Sequence, residues 1–146
     1  MKRFTQLVCI ILVLSVALVT PVFAVESTTW GSDYFGSRSC YLHKVSSTSF
    51  QIWFDVTSMR TMAELGVNYI EVQRSSDNGS TWESVQTYAD EDYSQMIREN
   101  TSYHGDCVTY FNAEAGYRYR AYVKFYAKNS SGTATYGSYT SSITMP

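Results

Sequence analysis

The feature that most constrains the fold is a long alternation of side chains between residues 117 and 128. Successive side chains of a β-strand point to opposite faces, so this alternation indicates a strand with one face in the core and one in water. The predicted core face comprises Tyr117, Tyr119, Ala121, Val123, Phe125 and Ala127, and the solvent face comprises Arg118, Arg120, Tyr122, Lys124, Tyr126 and Lys128.

The rest of the chain carries the same kind of signal. Residues 50 to 56 alternate in the same way, and Asn78-Gly79 separates two strand-like runs, as in a hairpin with a tight turn. Thirteen tyrosines, with many Ser and Thr, suit pleated, half-buried surfaces better than helices. About seven strands, at turn spacings of roughly ten residues, predict an all-β fold, namely a two-sheet antiparallel immunoglobulin-like sandwich.

Two short segments interrupt this strand pattern. Residues 59 to 65 contain helix formers after a candidate cap at Ser58 or Thr61 and are followed by Gly66, which predicts a helical turn that crosses between the sheets. A second helical turn is expected at residues 93 to 97, within a polar connection.

The N-terminus has the three parts of a secretory signal. Lys2 and Arg3 precede an apolar run over residues 7 to 19, and Val22-Phe23-Ala24 forms a cleavage site of small or compact residues. The run is too short to span a bilayer comfortably, although a retained anchor is the alternative. We therefore expect a secreted protein with no membrane span after cleavage, consisting of residues 1–24 as a cleaved signal peptide and residues 25–146 as one β-sandwich domain.

Two cysteines remain after the expected cleavage, because Cys9 lies in the leader. Outside the cytoplasm a lone pair of this kind is usually oxidised, so a disulfide between Cys40 and Cys107 is expected. Closing a loop of this length would stabilise the fold by roughly 4 kcal/mol. The alternative is two buried thiols, and no cysteine or histidine spacing accompanies the pair that would indicate a metal site.

The C-terminal third resembles the end of a fibronectin type III domain. The resemblance rests on the segment from Ala115 through Val123 and on the Asn129-Ser130-Ser131-Gly132 turn. It implies that Tyr119, or Tyr117 on the same face, is a corner tyrosine whose hydroxyl bonds to the backbone upstream. The whole sequence is also similar to a family of small exported proteins from Gram-positive bacteria with no assigned function, which implies a fold and an address but no activity.

The segment from Ser75 to Trp82 matches the Asp-box pattern, which is best known from sialidase propellers. The pattern is a hairpin device, in which Asp77 caps the turn, Gly79 takes a positive φ and Trp82 packs under the turn. A single copy in a chain too short for propeller blades favours a structural role over a catalytic one.

The sequence gives little support for catalysis or metal chemistry. His43 and His104 each lie near a cysteine, but a disulfide would remove the nucleophile, and no Gly-x-Ser-x-Gly elbow is present. The acidic loop at residues 90–92 lacks a glycine-punctuated calcium loop and is expected to be solvated, although calcium binding stays open. The net charge of −2 is scattered, which argues against nucleic acid as a partner. We expect no enzyme activity and no cofactor.

Exposed aromatic side chains are the one positive functional signal. Tyr122 and Tyr126 are expected on the outer face of the long strand, joined by Tyr136 of the last strand and by Trp53. Aromatic rings flanked by basic side chains suit protein hot spots or sugar stacking. The sequence therefore predicts an interaction module that binds a protein partner at the cell surface or in the medium, with a carbohydrate- or cell-wall-binding module as the alternative.

Overall fold

The computed structural model describes residues 34–146, so the expected leader at residues 1–24 lies outside the described part of the chain. Seven strands pair antiparallel into one sheet. They are β1 (Arg38–Lys44), β2 (Phe50–Ser75), β3 (Glu83–Ala89), β4 (Ile97–Tyr110), β5 (Arg118–Asn129), β6 (Gly132–Tyr139) and β7 (Ile143–Thr144), with one 3₁₀ turn at Ser94–Met96. The all-β class expected from the sequence is confirmed.

Strand β2 organises the sheet because it is 26 residues long and changes partners along its length. Its first part pairs with β1 and β4, and its second part pairs with β3 and β5, with β4 also reaching Gly66. The register against β4 shifts between Thr57 and Met62, and such a bulge bends a strand and increases its twist. The sheet therefore curls, and the rings of Phe50 and Tyr119 meet with their centroids 5.3 Å apart.

The interior of the curled sheet is filled by the alternating residues of β2 and β5. The odd-numbered residues of β5 from Tyr119 to Ala127 are all buried, as their alternation predicts. Facing them are the even-numbered residues at the start of β2, namely Phe50, Ile52, Phe54 and Val56, each with no exposed surface. Tyr117 precedes β5 and is partly buried against this core.

The helical turn expected at residues 59 to 65 is wrong, because this segment belongs to β2. Met62 pairs with Thr101 and Leu65 with Arg98, and both Met62 and Leu65 are buried. Pairing with β4 and burial together outweigh the local helix propensity of the segment. The second expected turn is confirmed, since the 3₁₀ turn at Ser94–Met96 falls within residues 93 to 97.

The curl brings two pairs of edge strands towards each other. Between β1 and β6, the guanidinium of Arg38 lies 4.0 Å from the ring centre of Tyr136. Between β3 and β4, the Tyr88 hydroxyl donates to the Thr109 carbonyl at 3.1 Å, and a shallow groove follows this seam. In the part of the chain that the structure describes, no helix is long and apolar enough to cross a membrane.

Candidate functional site

The outer surface of β1, β4 and the first part of β2 forms a small grid of side chains, which we call the platform face. Residues that pair directly across antiparallel strands point to the same face. Three rows result from the register, namely His43–Gln51–Thr109, Tyr41–Trp53–Cys107 and Ser39–Asp55–Gly105. The platform face thus has an aromatic middle row between two polar rows.

The aromatic pair of the middle row is nearly parallel. The rings of Tyr41 and Trp53 lie at 4° to each other with centroids 6.3 Å apart, at the long end of the range for aromatic pairs. Tyr41 is 48% exposed. The Trp53 indole nitrogen donates to the side-chain oxygen of Gln51 at 3.0 Å, which fixes the ring and leaves the Gln51 amide nitrogen available as a donor.

A glycine shapes the lower polar row. The Tyr103 hydroxyl reaches over Gly105 and donates to Asp55 Oδ1 at 2.9 Å. A side chain at Gly105 would place its Cβ 2.6 Å from that hydroxyl and closer still to the Asp55 carboxylate. The hydrogen bond to Asp55 raises the pKa of Tyr103, as does the negative charge of the carboxylate. The second carboxylate oxygen of Asp55 remains available to accept.

The disulfide expected between Cys40 and Cys107 is absent, and both cysteines are free thiols. Cys40 pairs with the core residue Phe54, whereas Cys107 pairs with Trp53 on the platform face. The two thiols therefore point to opposite faces and are separated by β2, which places their Cα atoms about 10 Å apart. A disulfide needs Cα atoms closer than about 7 Å. Burial raises the pKa of both thiols.

The outer surface of β5, with β6 and the second part of β2, carries the two tyrosines singled out in the sequence. We call this surface the arginine face. Tyr122 pairs with Tyr139, with ring centroids 5.1 Å apart, and its ring also covers Gly137, where no Cβ would fit beneath it. Tyr126 is partly buried, and its pKa is raised first by burial and then by the Glu64 carboxylate.

Tyr136 does not join Tyr122 and Tyr126. The β5–β6 register pairs it with the core residue Phe125, so its side chain lies on the opposite face, at the seam with Arg38. The sequence alone predicted that Tyr136 lies on the outer face. The face depends on the register of the β5–β6 hairpin, which is set by a loop that closes between Asn129 and Gly132. Tyr139 takes the expected place beside Tyr122.

Arg120 occupies the centre of the arginine face. Its guanidinium lies 4.3 Å from the ring centre of Trp82 and 4.3 Å from that of Tyr139, so aromatic rings cover it on two sides. Its Nε donates to the side-chain oxygen of Gln73 at 2.8 Å, and the Gln73 amide donates in turn to Glu71. Within residues 34–146, no carboxylate forms a salt bridge with Arg120.

The Asp-box segment forms the β2–β3 turn. Asp77 accepts hydrogen bonds from the Ser75 hydroxyl and from both the backbone and the hydroxyl of Thr81, at 2.7 to 2.8 Å. These bonds hold the pKa of the Asp77 carboxyl well below its usual range. Gly79 has a φ of 97°, and a Cβ there would lie 3.3 Å from the Trp82 ring. The turn therefore fixes Trp82 beside Arg120.

The segment before β5 contains the candidate corner tyrosines. Tyr119 is fully buried, and its hydroxyl accepts a hydrogen bond from the backbone amide of Glu114 at 2.9 Å. Tyr117 instead lies beneath the Arg74 guanidinium, 4.8 Å from its ring centre. Of the two, Tyr119 is the residue that ties the strand to the backbone upstream.

The histidines and the acidic loop do not converge. His104 is 2% exposed, with Nε2 2.7 Å from the Gln95 carbonyl and its ring edge-on to Phe54. His43 is exposed on β1, on the platform face. The acidic residues 90–92 lie in the turn after β3. Among the residues that the structure describes, no group of three His, Cys, Asp or Glu side chains is arranged to hold a metal ion.

No protein-family model matches the chain, and no curated protein matches its sequence. The sites described here therefore rest on the geometry of the chain itself.

Four aromatic and basic residues are the most consequential that sequence reasoning missed on these two faces. They are Tyr41 and Tyr103 on the platform face and Arg120 and Tyr139 as members of one stack on the arginine face. Only the cross-strand register brings each of them to its partner. The alternation within β1 and β4 would have placed Tyr41 and Tyr103 on one side of their strands, but not beside Trp53 and Asp55.

Proposed function

We propose that this protein is an exported, non-catalytic binding module whose ligand is a glycan and whose binding surface is the platform face. The observation that carries the proposal is the stacked Tyr41–Trp53 pair on the outer surface of the sheet, in which Tyr41 is 48% exposed and Trp53 is partly buried. The exposed ring of Tyr41 offers an aromatic face to the apolar face of a sugar ring, and its stacking against Trp53 holds it in place.

The polar rows beside the rings supply what sugar hydroxyls need. The Gln51 amide nitrogen is a donor on one side of Trp53, and the Asp55 carboxylate has an acceptor oxygen on the other. Both side chains are already held by one hydrogen bond to an aromatic residue. Binding would therefore immobilise few rotamers, which favours affinity.

The platform face fits this role better than Tyr122 and Tyr126 do. The Tyr122 ring lies over Gly137 and packs against Tyr139, and Tyr126 is partly buried, as Trp53 is, but lacks an exposed stacking partner such as Tyr41 in the described structure. Ring surface that already packs within the protein is not available for a sugar. The glycan proposal therefore moves from those tyrosines to Trp53 and its partner Tyr41.

A protein partner is the second candidate, and one observation favours it. The groove between β3 and β4 is lined by Tyr88, Val108 and Tyr110, and Phe111 at its rim is 71% exposed. Both strands pair only with β2 in the described structure, so backbone groups on their outer edges, apart from the Thr109 carbonyl bonded to Tyr88, can bond an added strand. An extended peptide with an apolar side chain beside Phe111 suits this groove.

The proposal also includes export of the protein and its fold class. We take residues 1–24 as a cleaved leader, on the pattern of Lys2, Arg3 and the apolar run. If β2 is divided at its bulge, its first part forms one layer with β1 and β4. Its second part forms another layer with β3, β5 and β6. The Phe50–Tyr119 contact and the Tyr119–Glu114 bond support a two-layer immunoglobulin-like sandwich.

Sedimentation with insoluble polymers tests the glycan proposal. Purified protein is mixed with neutral insoluble glycans and with bacterial cell wall, and the pellet is assayed. We expect retention that a soluble sugar displaces and that Trp53→Ala abolishes while thermal unfolding stays close to wild type. Phe111→Ala is the control, since it removes an exposed aromatic ring that lies beyond Thr109, outside the three rows of the platform face.

The two candidates give opposite results in this assay. Failure of the wild-type protein to sediment with any glycan would overturn the proposal. In that case, crosslinking on whole cells that captures a protein with the wild type and not with Phe111→Ala would establish the second candidate.

A further inference from the structure

We propose that Arg120 is a preorganised receptor for the oxyanion groups of an acidic polysaccharide, carboxylate or phosphate. The site lies on the arginine face and is separate from the Tyr41–Trp53 pair. The inference shares with the proposed function only the premise that the ligand is a glycan.

The geometry leaves one edge of the guanidinium unused. The rings of Trp82 and Tyr139 lie against the group at 4.3 Å each, and Nε is bonded to Gln73. Within the described chain, the two terminal nitrogens have no hydrogen-bond partner, and neither is buried without one. An arginine held in this way presents a planar pair of donors, which matches the two oxygens of a carboxylate or a phosphate.

Among the described side chains, Arg120 has no carboxylate bonded directly to it, although Glu71 lies on the same face in the next row, beside Tyr122. The salt bridges of the described residues involve Arg74 and Lys128 and leave Arg120 and Lys124 without a carboxylate. Glu71 is linked to Arg120 only through Gln73. Lys124 lies on the same face of β5, about 13 Å along the strand. A polymer with repeated negative groups could contact both cations at once.

The surroundings favour a polysaccharide over an acidic peptide. The two tyrosines beside Arg120, Tyr122 and Tyr139, end in hydroxyls, which are suited to sugar hydroxyls, whereas the Gln73 amide is already bonded to Arg120 and Glu71. The groove that would accept an apolar side chain lies elsewhere, between β3 and β4.

The test compares Arg120→Lys with wild type on immobilised polygalacturonate, a phosphorylated mannan, poly-glutamate and a neutral glucan. Lysine keeps the positive charge but loses the two-donor edge, so affinity for the acidic polysaccharide should fall about tenfold. Arg74→Lys is the matched control, because Arg74 already pairs with Glu83 and Glu114. Thermal unfolding of each variant shows that the fold is kept.

Each outcome decides the proposal. Retention on either acidic polysaccharide that Arg120→Lys weakens and Arg74→Lys does not supports the site, and the matrix identifies the oxyanion. Equal retention of Arg120→Lys and wild type, retention on poly-glutamate alone, or no retention on acidic matrices overturns it. Binding to the neutral glucan is measured separately with Trp53→Ala. Failure of the Arg120 proposal therefore leaves the platform-face proposal intact, and failure of the platform-face proposal leaves the Arg120 proposal intact.

Discussion

The hydroxyl of Tyr119 accepts a hydrogen bond from the backbone amide of Glu114, five residues upstream, at 2.9 Å. The ring of Tyr119 also packs against Phe50 from the first part of β2. One side chain therefore fixes the turn before β5 and joins the two halves of the curled sheet.

The first prediction concerns this bond. Tyr119→Phe keeps the ring but leaves the Glu114 amide without its acceptor, so the free energy of unfolding should fall by about 1 kcal/mol or more. Urea denaturation measures the change, and Tyr117→Phe is the control, because the ring of Tyr117 and not its hydroxyl contacts Arg74. An unchanged midpoint for Tyr119→Phe would contradict the corner role.

The second prediction concerns acid stability of the β2–β3 turn. The folded pKa of Asp77 lies below its unfolded value of 3.8 because the carboxylate accepts bonds from Thr81 and Ser75. A group with a depressed pKa contributes stability that is present above the unfolded pKa and lost as the pH falls below it. Asp77→Asn should therefore be less stable than wild type at neutral pH, and the difference should shrink as the pH falls below about 3.8.

Thermal unfolding across that pH range checks this prediction, with Asp92→Asn as a control that removes a carboxylate from the exposed turn after β3. A constant difference between wild type and Asp77→Asn at every pH would show that the carboxylate charge does not hold the turn.

The sequence predicted those parts of the fold that depend on interactions between neighbouring residues. The alternation of β5 and the turn at Asn78-Gly79 depend on neighbouring residues, so the core face of β5 and the hairpin were predicted from the chain alone. The helical turn predicted for residues 59 to 65 was wrong because their conformation is set by pairing with β4, which lies far along the chain. Local propensity cannot report a partner of that kind.

The candidate site depended still more on register. Trp53 was expected to face outward and does, but the residue beside it, Tyr41, follows only from the pairing of β1 with β2. Tyr136 was assigned to the wrong face because a shift of one residue in pairing reverses every side chain of a strand. The same pairing separates Cys40 from Cys107, which no count of cysteines could show.

The third prediction concerns these two cysteines. Because they point to opposite faces of β2, the protein without residues 1–24, which contain Cys9, should react with two equivalents of a thiol reagent after denaturation without a reductant. Reductant should leave the unfolding temperature unchanged. A fall in that temperature with reductant, together with unreactive cysteines, would require a β1 register that differs from the pairing of Cys40 with Phe54.

The last prediction concerns Gly66 of β2, which lies against the Met96 carbonyl of the 3₁₀ turn. A Cβ at Gly66 would fall inside the van der Waals contact distance of the Met96 carbonyl oxygen and 3.0 Å from the His104 ring. Both neighbours are fixed, the carbonyl by the backbone and the buried ring by its bond to Gln95. Gly66→Ala should therefore lower the free energy of unfolding by about 3 kcal/mol or more.

The control for Gly66→Ala is Gly116→Ala, which separates crowding from backbone strain. Gly116 has a φ of 82°, but a Cβ there would have no neighbour within 4 Å. Gly116→Ala should lower the free energy of unfolding only by the strain of the left-handed conformation, roughly 1 kcal/mol. Equal losses for the two variants in urea denaturation would mean that the 3₁₀ turn can move away from β2 without cost, which would contradict the crowding predicted at Gly66.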